Sequence, residues 1–445
     1  MAKGDDCSIQ VENADRLPSR SARRWRAALS IIAFLLAVIV PAVRVSRHMN
    51  IPGTRVDPDH WALVDFRDNV YYPAKAFLSG GNPYDRETHV ATYPVRVRFP
   101  PYTPLFLLAH APFGLLPQGA SQLVYFVLTI ALTVFLAHLT LRICGSHSTL
   151  YSVLGIAAMA LLSRPGHWNL TLGQVTLEFV ILAYVALHFG ARAPLVSGLA
   201  LAAATMKATI ALPLVILMIC CRYWRSVAIG TCIAVLATLP PTLVLVSSAG
   251  GVSALADSFL DSAAVFQDDE SANPVLSSSR IDAVALVSRL HWKSAGPAAQ
   301  AGILVFVVGT ACAAIRRVRL AASGREADLY CFSIATLAIL VPLYQQLYGA
   351  LLLVLPMTAL VINRWAPAQV SRARSLRTAL IILLAVPAVN QLIAFRVLQQ
   401  LKVVPGAWTF AVSINRITLI LALSLYVVSA FKYIKPAPPS ATAVT

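Results

Sequence analysis

The sequence predicts an all-α, polytopic integral membrane protein, and three observations lead to that fold class. Of the 445 residues, 58% are hydrophobic and 12% are charged, whereas soluble domains average roughly 45–50% and 25%. Nearly uncharged apolar runs of about 18 residues recur from residue 27 to residue 431, and each can cross ~30 Å of hydrocarbon as a helix. These runs are continuous and lack the two-residue alternation of barrel strands, which excludes a transmembrane β-barrel.

The apolar runs predict about 10–13 membrane segments. Residues 195–221 carry Lys207 and Pro213 within an apolar stretch flanked by arginines, which predicts two short helices that go out and return. Residues 102–117 contain three prolines and are predicted to lie in the membrane plane or to re-enter it. The remaining spans are predicted at 27–43, 120–142, 149–163, 174–190, 226–247, 298–315, 327–343, 347–363, 377–397 and 411–431.

The distribution of charge predicts the orientation in the membrane. Segments assigned to the cytoplasm hold 20 of the 36 Lys and Arg residues and carry a net charge of +14, against +4 for the opposite side. Both termini are therefore predicted to be cytoplasmic, and the two long polar loops, 44–101 and 249–297, to lie on the outer face of the plasma membrane. We expect a basic tail at 1–26, a membrane domain at 27–434 and a disordered tail at 435–445.

The net charge of +17 could suggest nucleic acid, but its placement beside the spans predicts contact with membrane lipid and no nucleic-acid partner. Seven cysteines are an odd number without a CxxC pair, so neither a disulfide framework nor a zinc site is indicated.

Under this topology, several polar side chains project to the same outer face. Carboxylates, cations and amides around one cavity suit a reaction in which a sugar hydroxyl attacks while a lipid phosphate leaves. The candidate residues are Asp65, Asp68, Arg96, Arg98, Asn169, Gln174, Lys207, Tyr344 and Tyr348.

Four motifs, taken in order, resemble glycosyltransferase family 87. The run from Asp65 to Tyr84 looks like the first-loop signature of that family, and Phe99-Pro-Pro-Tyr-Thr-Pro-Leu resembles its second block. Gly173-Gln174-Val175 resembles the third block, and Lys207 with the Trp/Arg-rich loop at Arg222 to Arg225 resembles the fourth. The likeness covers roughly residues 60–365.

The resemblance implies a helical bundle of the GT-C type that catalyses an inverting transfer without a metal or cofactor. The implied donor is a polyprenyl-phosphate sugar, most consistent with mannose, and the implied acceptor is a hydroxyl of a glycolipid or glycan. The family's first-loop aspartate acts as general base, a role that falls on Asp65, with Asp68 as the alternative. Asp65 could instead cap the helix that is predicted to follow it.

The other candidates follow from the charge of the leaving group. Lys207, Arg96 and Arg98 are predicted to bind the donor phosphate, although Lys207 could simply extend to the interface. Asn169, Gln174, Tyr344 and Tyr348 are candidates for sugar or acceptor contacts. Many family members carry a Trp-His or Tyr-Asp element on a late span, where this chain has Tyr344 and Tyr348, which can donate hydrogen bonds but cannot replace a charged His or Asp.

Two other classes of membrane protein compete with this interpretation. A transporter or flippase would place ionisable groups in mid-span, yet 12 of the 19 acidic residues fall in the two outer loops and only Glu178 lies within a span. A polysaccharide polymerase or ligase would need a large late outer loop, and the loop at 398–410 is short.

Overall fold

The apolar runs fold as helices, and every regular element of the described ranges is helical. The computed structural model describes residues 20–54, 59–96, 99–365, 373–390 and 405–433. The predicted all-α fold class is therefore confirmed. The α-helices are α1 Arg20–Arg47, α2 Val64–Phe66, α3 Tyr72–Leu78, α4 Arg86–Thr92, α5 Pro104–Gly114, α6 Gln118–Ile143, α7 Leu150–Leu162, α8 Arg164–Leu172, α9 Thr176–Phe189, α10 Pro194–Ala204, α11 Ala208–Cys220, α12 Trp224–Ala249, α13 Val252–Asp268, α14 Ala283–Leu290, α15 Pro297–Ala321, α16 Arg325–Leu340, α17 Val354–Val361, α18 Ala373–Val389 and α19 Pro405–Tyr433.

Five helices of the described part are long and apolar enough to cross a membrane: α1, α6, α12, α15 and α19. Their apolar stretches of 24–26 residues extend about 36–39 Å at ~1.5 Å per residue, more than the thickness of the hydrocarbon core. Large apolar side chains such as Leu236 and Phe306 are exposed on their surfaces. This outward apolar surface is what a lipid environment requires, so the chain is a multi-pass membrane protein.

The predicted pair of short helices at 195–221 is confirmed as α10 and α11, with Lys207 immediately before α11. The first of the two packs tightly on α12 through small residues. A Cβ at Gly198 would lie 2.7 Å from Ile229 Cγ2, and one at Gly230 would lie 3.0 Å from the Gly198 carbonyl oxygen. Glycine at both positions therefore lets the two backbones approach closely.

The proline-containing stretch at 102–117 forms α5, a helix of 11 residues. At ~1.5 Å per residue it extends only about 16 Å, too short to span the membrane. Pro104 begins the helix, and Phe106, Leu107 and His110 are buried against the bundle. The prediction that this stretch is not an ordinary span agrees with its length.

The two long loops fold against each other over one end of the bundle. In the first loop, residues Tyr72–Leu78 form α3. The ring of Tyr84 packs 5.2 Å from that of Phe259 on α13, and the Ser262 hydroxyl donates to the Phe99 carbonyl at 3.2 Å. These contacts attach α13 of the second loop to the first loop.

The last two spans agree with the structure as far as it describes them. Residues 373–389 form α18, and the predicted span at 377–397 continues beyond the described residues. Helix α1 begins at Arg20, inside the segment predicted to be a tail. The tails at 1–19 and 434–445 lie outside the described residues, so the domain boundaries stay a prediction.

Candidate active site

One cavity of about 750 Å³ lies between the two folded loops and the adjacent helix ends. This volume is within the range of small-molecule binding sites. Aromatic, hydroxyl, amide and charged side chains share its walls, so it can hold a polar ligand. Its lining includes Val64, Asp65, Asn69, Arg96, Tyr102, Trp168, Gln174, Lys207, Phe266, Asp269, Glu270, Ser271, Ser277, Ser278, Ser279, Arg280, Gln300, Tyr344, Gln346 and Tyr348.

The backbone around Asp65 departs from regular helix on both sides. Leu63 has φ 52° and ψ 29°, a left-handed conformation that a non-glycine residue rarely adopts, and its N–H donates to Thr171 O at 2.9 Å. The helix then begins at Val64, without a side-chain cap, and residues Arg67–Tyr71 form a π-helical turn. Asp65 therefore does not cap this helix, and its side chain is directed into the cavity instead.

Gly173 brings Gln174 onto this carboxylate. It ends α8 with φ +73°, and a Cβ there would lie 2.5 Å from the Cβ of Phe66. Only glycine fits both the left-handed conformation and the close approach. The Gln174 N–H donates to Asn169 O at 2.9 Å, and the Gln174 side-chain amide donates to Asp65 Oδ2.

The surroundings of Asp65 favour its protonated form. Burial raises the pKa of Asp65 to about 7, the Gln174 hydrogen bond opposes that shift in part, and the charge of Asp68 adds to it. Asp65 therefore changes its protonation state near neutral pH. A carboxylate of this kind is well matched to accept a proton near neutral pH.

Lys207 is a buried cation without a carboxylate partner among the described residues. It precedes α11, is 6% exposed, and its Nζ lies 5.8 Å from the ring centre of Phe179 and 5.9 Å from that of Tyr348. Burial lowers the pKa of Lys207 to about 8, so the amine is mostly charged at pH 7. An unpaired charge in such a place is costly unless an anion binds beside it.

A family model, described as glycosyltransferase family 87, matches residues 99–344, which is more than half of the chain. The chain belongs to glycosyltransferase family 87. It is thus a membrane glycosyltransferase, and the transporter and flippase interpretation is set aside. The match includes the second, third and fourth motifs, while the segment around Asp65 precedes it. No curated protein and no solved structure matches the chain.

Of the two candidate base residues in this family 87 glycosyltransferase, only Asp65 lines the cavity. Asp68 is fully buried, and its carboxylate accepts from Arg67 Nε at 2.6 Å and from the Arg96 N–H at 2.8 Å. These bonds attach residues 93–96 to the π-helical turn, so Asp68 is placed to support the loop. The alternative assignment of the base to Asp68 is not supported by this geometry.

The other predicted site residues of the glycosyltransferase divide into lining and supporting positions. Arg96, Gln174, Tyr344 and Tyr348 line the cavity together with Asp65 and Lys207. Asn169 is 1% exposed and lies outside the lining, where its carbonyl accepts from the Gln174 N–H. Its backbone thus contacts Gln174, and a sugar or acceptor contact of its side chain stays a prediction. Arg98 lies outside the described residues.

The second loop also contributes to this site, through residues that the sequence did not indicate. Arg280 and Asp282 form a buried pair with Nη2–Oδ1 at 2.8 Å and Nε–Oδ2 at 2.9 Å, and the guanidinium lies 4.9 Å from the Tyr344 ring centre. Asp282 Oδ2 also accepts from the Gln345 N–H at 3.1 Å. The only sequence signal was a basic and an acidic residue two positions apart, which is common on protein surfaces.

Asp269 is a second carboxylate in the cavity that was not predicted. Its Oδ1 accepts from the Ser271 N–H at 2.8 Å and from the Ser271 hydroxyl at 2.6 Å. Its charge contributes to the raised pKa of Asp65 across the cavity. Among the described residues, no group of three or more His, Cys, Asp or Glu side chains could hold a metal ion, and the metal-free reaction stays a prediction.

Proposed function

We propose that this family 87 glycosyltransferase transfers a hexose, most consistent with mannose, from a polyprenyl-phosphate donor to a hydroxyl of a lipid- or glycan-linked acceptor. The observation that carries the proposal is that Asp65 and Lys207 line the same cavity. One supplies a carboxylate that accepts protons near pH 7, and the other a buried cation. These are the two charges that such a transfer needs, a base for the hydroxyl and a partner for the leaving phosphate.

The reaction is a single displacement at the anomeric carbon. An Asp65 carboxylate oxygen takes the proton of the acceptor hydroxyl, and the hydroxyl oxygen attacks that carbon. The bond between the anomeric carbon and the phosphate oxygen breaks, and its electron pair leaves with the polyprenyl phosphate. Lys207 stabilises the charge that develops on the phosphate, and a single attack from the opposite face inverts the configuration.

The part of the cavity lining that the second loop supplies, together with Tyr344, suits a sugar-bearing acceptor. Residues Ser271 and Ser277–Ser279 add hydroxyl groups, and Phe266 and Tyr344 add aromatic rings, 5.5 Å apart between centres. Hydroxyl partners and aromatic faces are the usual contacts of carbohydrate rings, which are polar at the edge and less polar on the faces. The acceptor therefore enters between the second loop and Asp65.

The outer face is proposed because of the positive-inside rule. The loops that build the cavity, 44–101 and 249–297, carry 12 of the 19 acidic residues, whereas the opposite segments carry a net charge of +14. A lipid-linked donor in the outer leaflet would then bring its phosphate to Lys207 while its chain stays in the bilayer.

The test is a transfer assay with purified protein and a panel of donors. We expect the enzyme to transfer mannose from a short-chain polyprenyl-phosphate mannose and to give no product with a nucleotide-linked mannose. Adding a chelator should not lower the rate. Lys207→Met should abolish most donor use, and Lys207→Arg should retain part of it because the charge survives with altered geometry.

Lys75→Met is the matched control, since Lys75 is exposed on α3 with its Nζ 5.8 Å from the Tyr71 ring centre and lies outside the cavity lining. Equal donor use by Lys207→Met and the parent would overturn the phosphate role of Lys207. Transfer from the nucleotide-linked sugar, with none from the polyprenyl phosphate, would overturn the proposed donor.

A further inference from the structure

A continuous chain of hydrogen bonds leads from Asp65 into the helix bundle, away from the cavity. The side-chain amide of Gln174 donates to Asp65, and the backbone carbonyl oxygen of Gln174 accepts from the Tyr125 hydroxyl at 3.2 Å. The same hydroxyl lies 3.2 Å from Glu178 Oε1, and Glu178 Oε2 lies 3.2 Å from His110 Nε2. Neither Tyr125, Glu178 nor His110 lines the cavity. The chain therefore connects the cavity to three helices, α5, α6 and α9.

His110 and Glu178 are held against each other in this chain. His110 Nδ1 lies 2.9 Å from Phe106 O, and because a carbonyl only accepts, Nδ1 donates to it. The other ring nitrogen, Nε2, then faces Glu178 Oε2 at 3.2 Å. The backbone of α5 thus fixes the imidazole, and the imidazole gives the buried side of Glu178 a polar partner.

Tyr125 contacts Gln174 and the residue that follows Asp65. It is 1% exposed, and its ring stacks on Phe66, next to Asp65, with centres 4.4 Å apart. Its hydroxyl has one proton and two acceptors, the Gln174 carbonyl and the Glu178 carboxyl. The position of this one side chain therefore depends on the Glu178–His110 pair and in turn fixes the backbone of Gln174.

We propose that Tyr125, held by the Glu178–His110 pair, is a positioning residue that keeps the Gln174 amide on the catalytic carboxylate. This proposal rests on the proposed function, in which Asp65 is the base. It predicts that residues outside the cavity control the rate through one hydrogen bond to Asp65, with little effect on donor binding.

Loss of the hydrogen bond between Gln174 and Asp65 should change the pH dependence of the rate. The Gln174 hydrogen bond lowers the pKa of Asp65, so its loss raises that pKa further. The other charged groups that act on Asp65 are Asp68, Arg96 and Asp269, and each of them is unchanged in Tyr125→Phe. The acidic limb of the pH–rate profile should therefore move to higher pH in Tyr125→Phe.

The experiment compares single and double variants in the transfer assay. Tyr125→Phe should lower kcat about 5- to 30-fold, the effect of losing a hydrogen bond of ~1–2 kcal/mol, with the donor KM unchanged within about twofold. Gln174→Leu should give the same direction of pH shift. In the Gln174→Leu background, Tyr125→Phe should add less than about twofold, because both changes remove the same interaction.

Two variants of Glu178 test the hydrogen bonds independently. Glu178→Leu should resemble Tyr125→Phe, whereas Glu178→Gln should recover most of the rate, since its amide can accept from Tyr125 and donate to His110. Tyr330→Phe is the matched control: Tyr330 is fully buried, donates to Tyr426 O at 2.7 Å, and lies outside the cavity lining, as Tyr426 does. Thermal unfolding identifies any variant that fails to fold. If Tyr125→Phe fails to fold, the comparison of Glu178→Leu with Glu178→Gln tests the proposal.

A parent-like rate and pH profile in Tyr125→Phe would overturn the proposal, as would losses that multiply in the double variant. Equal losses in Glu178→Leu and Glu178→Gln would also overturn it. Asp65→Asn in the same assay separates the two proposals. Full activity of Asp65→Asn refutes the proposed function, whereas an inactive Asp65→Asn beside a parent-like Tyr125→Phe refutes the positioning role only.

Discussion

Replacing Asp65 with asparagine should abolish the reaction and stabilise the protein at alkaline pH. Removal of a positioned general base typically lowers rates ~10²- to 10⁴-fold. The folded protein raises the pKa of this carboxyl from an ordinary 3.8 to about 7, so folding disfavours the ionised form. At ~1.36 kcal/mol per pH unit, the penalty for the anion is at most about 4 kcal/mol. Because the side chain reaches the water of the cavity, we expect about half of that.

The sign of this effect fixes its pH dependence. Below pH 3.8 the carboxyl is protonated in both the folded and the unfolded state, so it contributes no penalty. Between pH 3.8 and about 7 the unfolded state holds fewer protons, and the penalty grows until Asp65 is ionised in both states. The stabilisation of Asp65→Asn over the parent should therefore increase from pH 5 to pH 8 and remain constant above pH 8.

Thermal unfolding of the parent and Asp65→Asn in detergent at pH 5 and pH 8 measures the difference, and the transfer assay measures the rate. The parent rate should fall about tenfold for each pH unit below 7, because only the ionised carboxyl acts as base. A parent rate that is flat from pH 5 to pH 8 would refute the assignment of the base. An Asp65→Asn protein that is less stable at pH 8 than the parent would refute the claim that the ionised Asp65 carboxylate destabilises the fold.

The remaining predictions concern the second carboxylate, the glycine turn and the orientation. Asp68→Asn should lower the free energy of unfolding by ~3 kcal/mol, since it leaves a buried arginine without its carboxylate; unchanged stability would contradict the support role. Gly173→Ala should lower both activity and melting temperature, because a Cβ would lie 2.5 Å from the adjacent loop, whereas Gly80→Ala, at a similar φ of +75° in open space, should lose only ~1 kcal/mol. Equal effects at the two glycines would refute the close-approach argument. In a variant without the native cysteines, a cysteine at Ser79 should react with an impermeant thiol reagent outside intact cells and one at Ser323 should not; the reverse pattern would invert the topology.

The sequence alone determined the parts of this protein that depend on local composition. Apolar runs of membrane length predicted the long helices because the hydrocarbon core requires internal backbone hydrogen bonds over ~30 Å. A lysine within an apolar stretch predicted the break between α10 and α11, since a charge is costly inside a span. Short motifs also identified Gly173 and Gln174, where glycine is needed for a sharp helix end.

Only the tertiary structure decided which polar residues act together. Asp65 and Asp68 are the same residue type three positions apart, yet Asp65 lines the cavity, whereas Asp68 accepts from the adjacent Arg67 and from the Arg96 N–H, 28 positions away. Glu178 was read as an isolated acid in a span, yet it pairs with His110, 68 positions away. The physical reason is that burial and pairing are set by contacts between distant segments, which the order of residues along the chain does not specify.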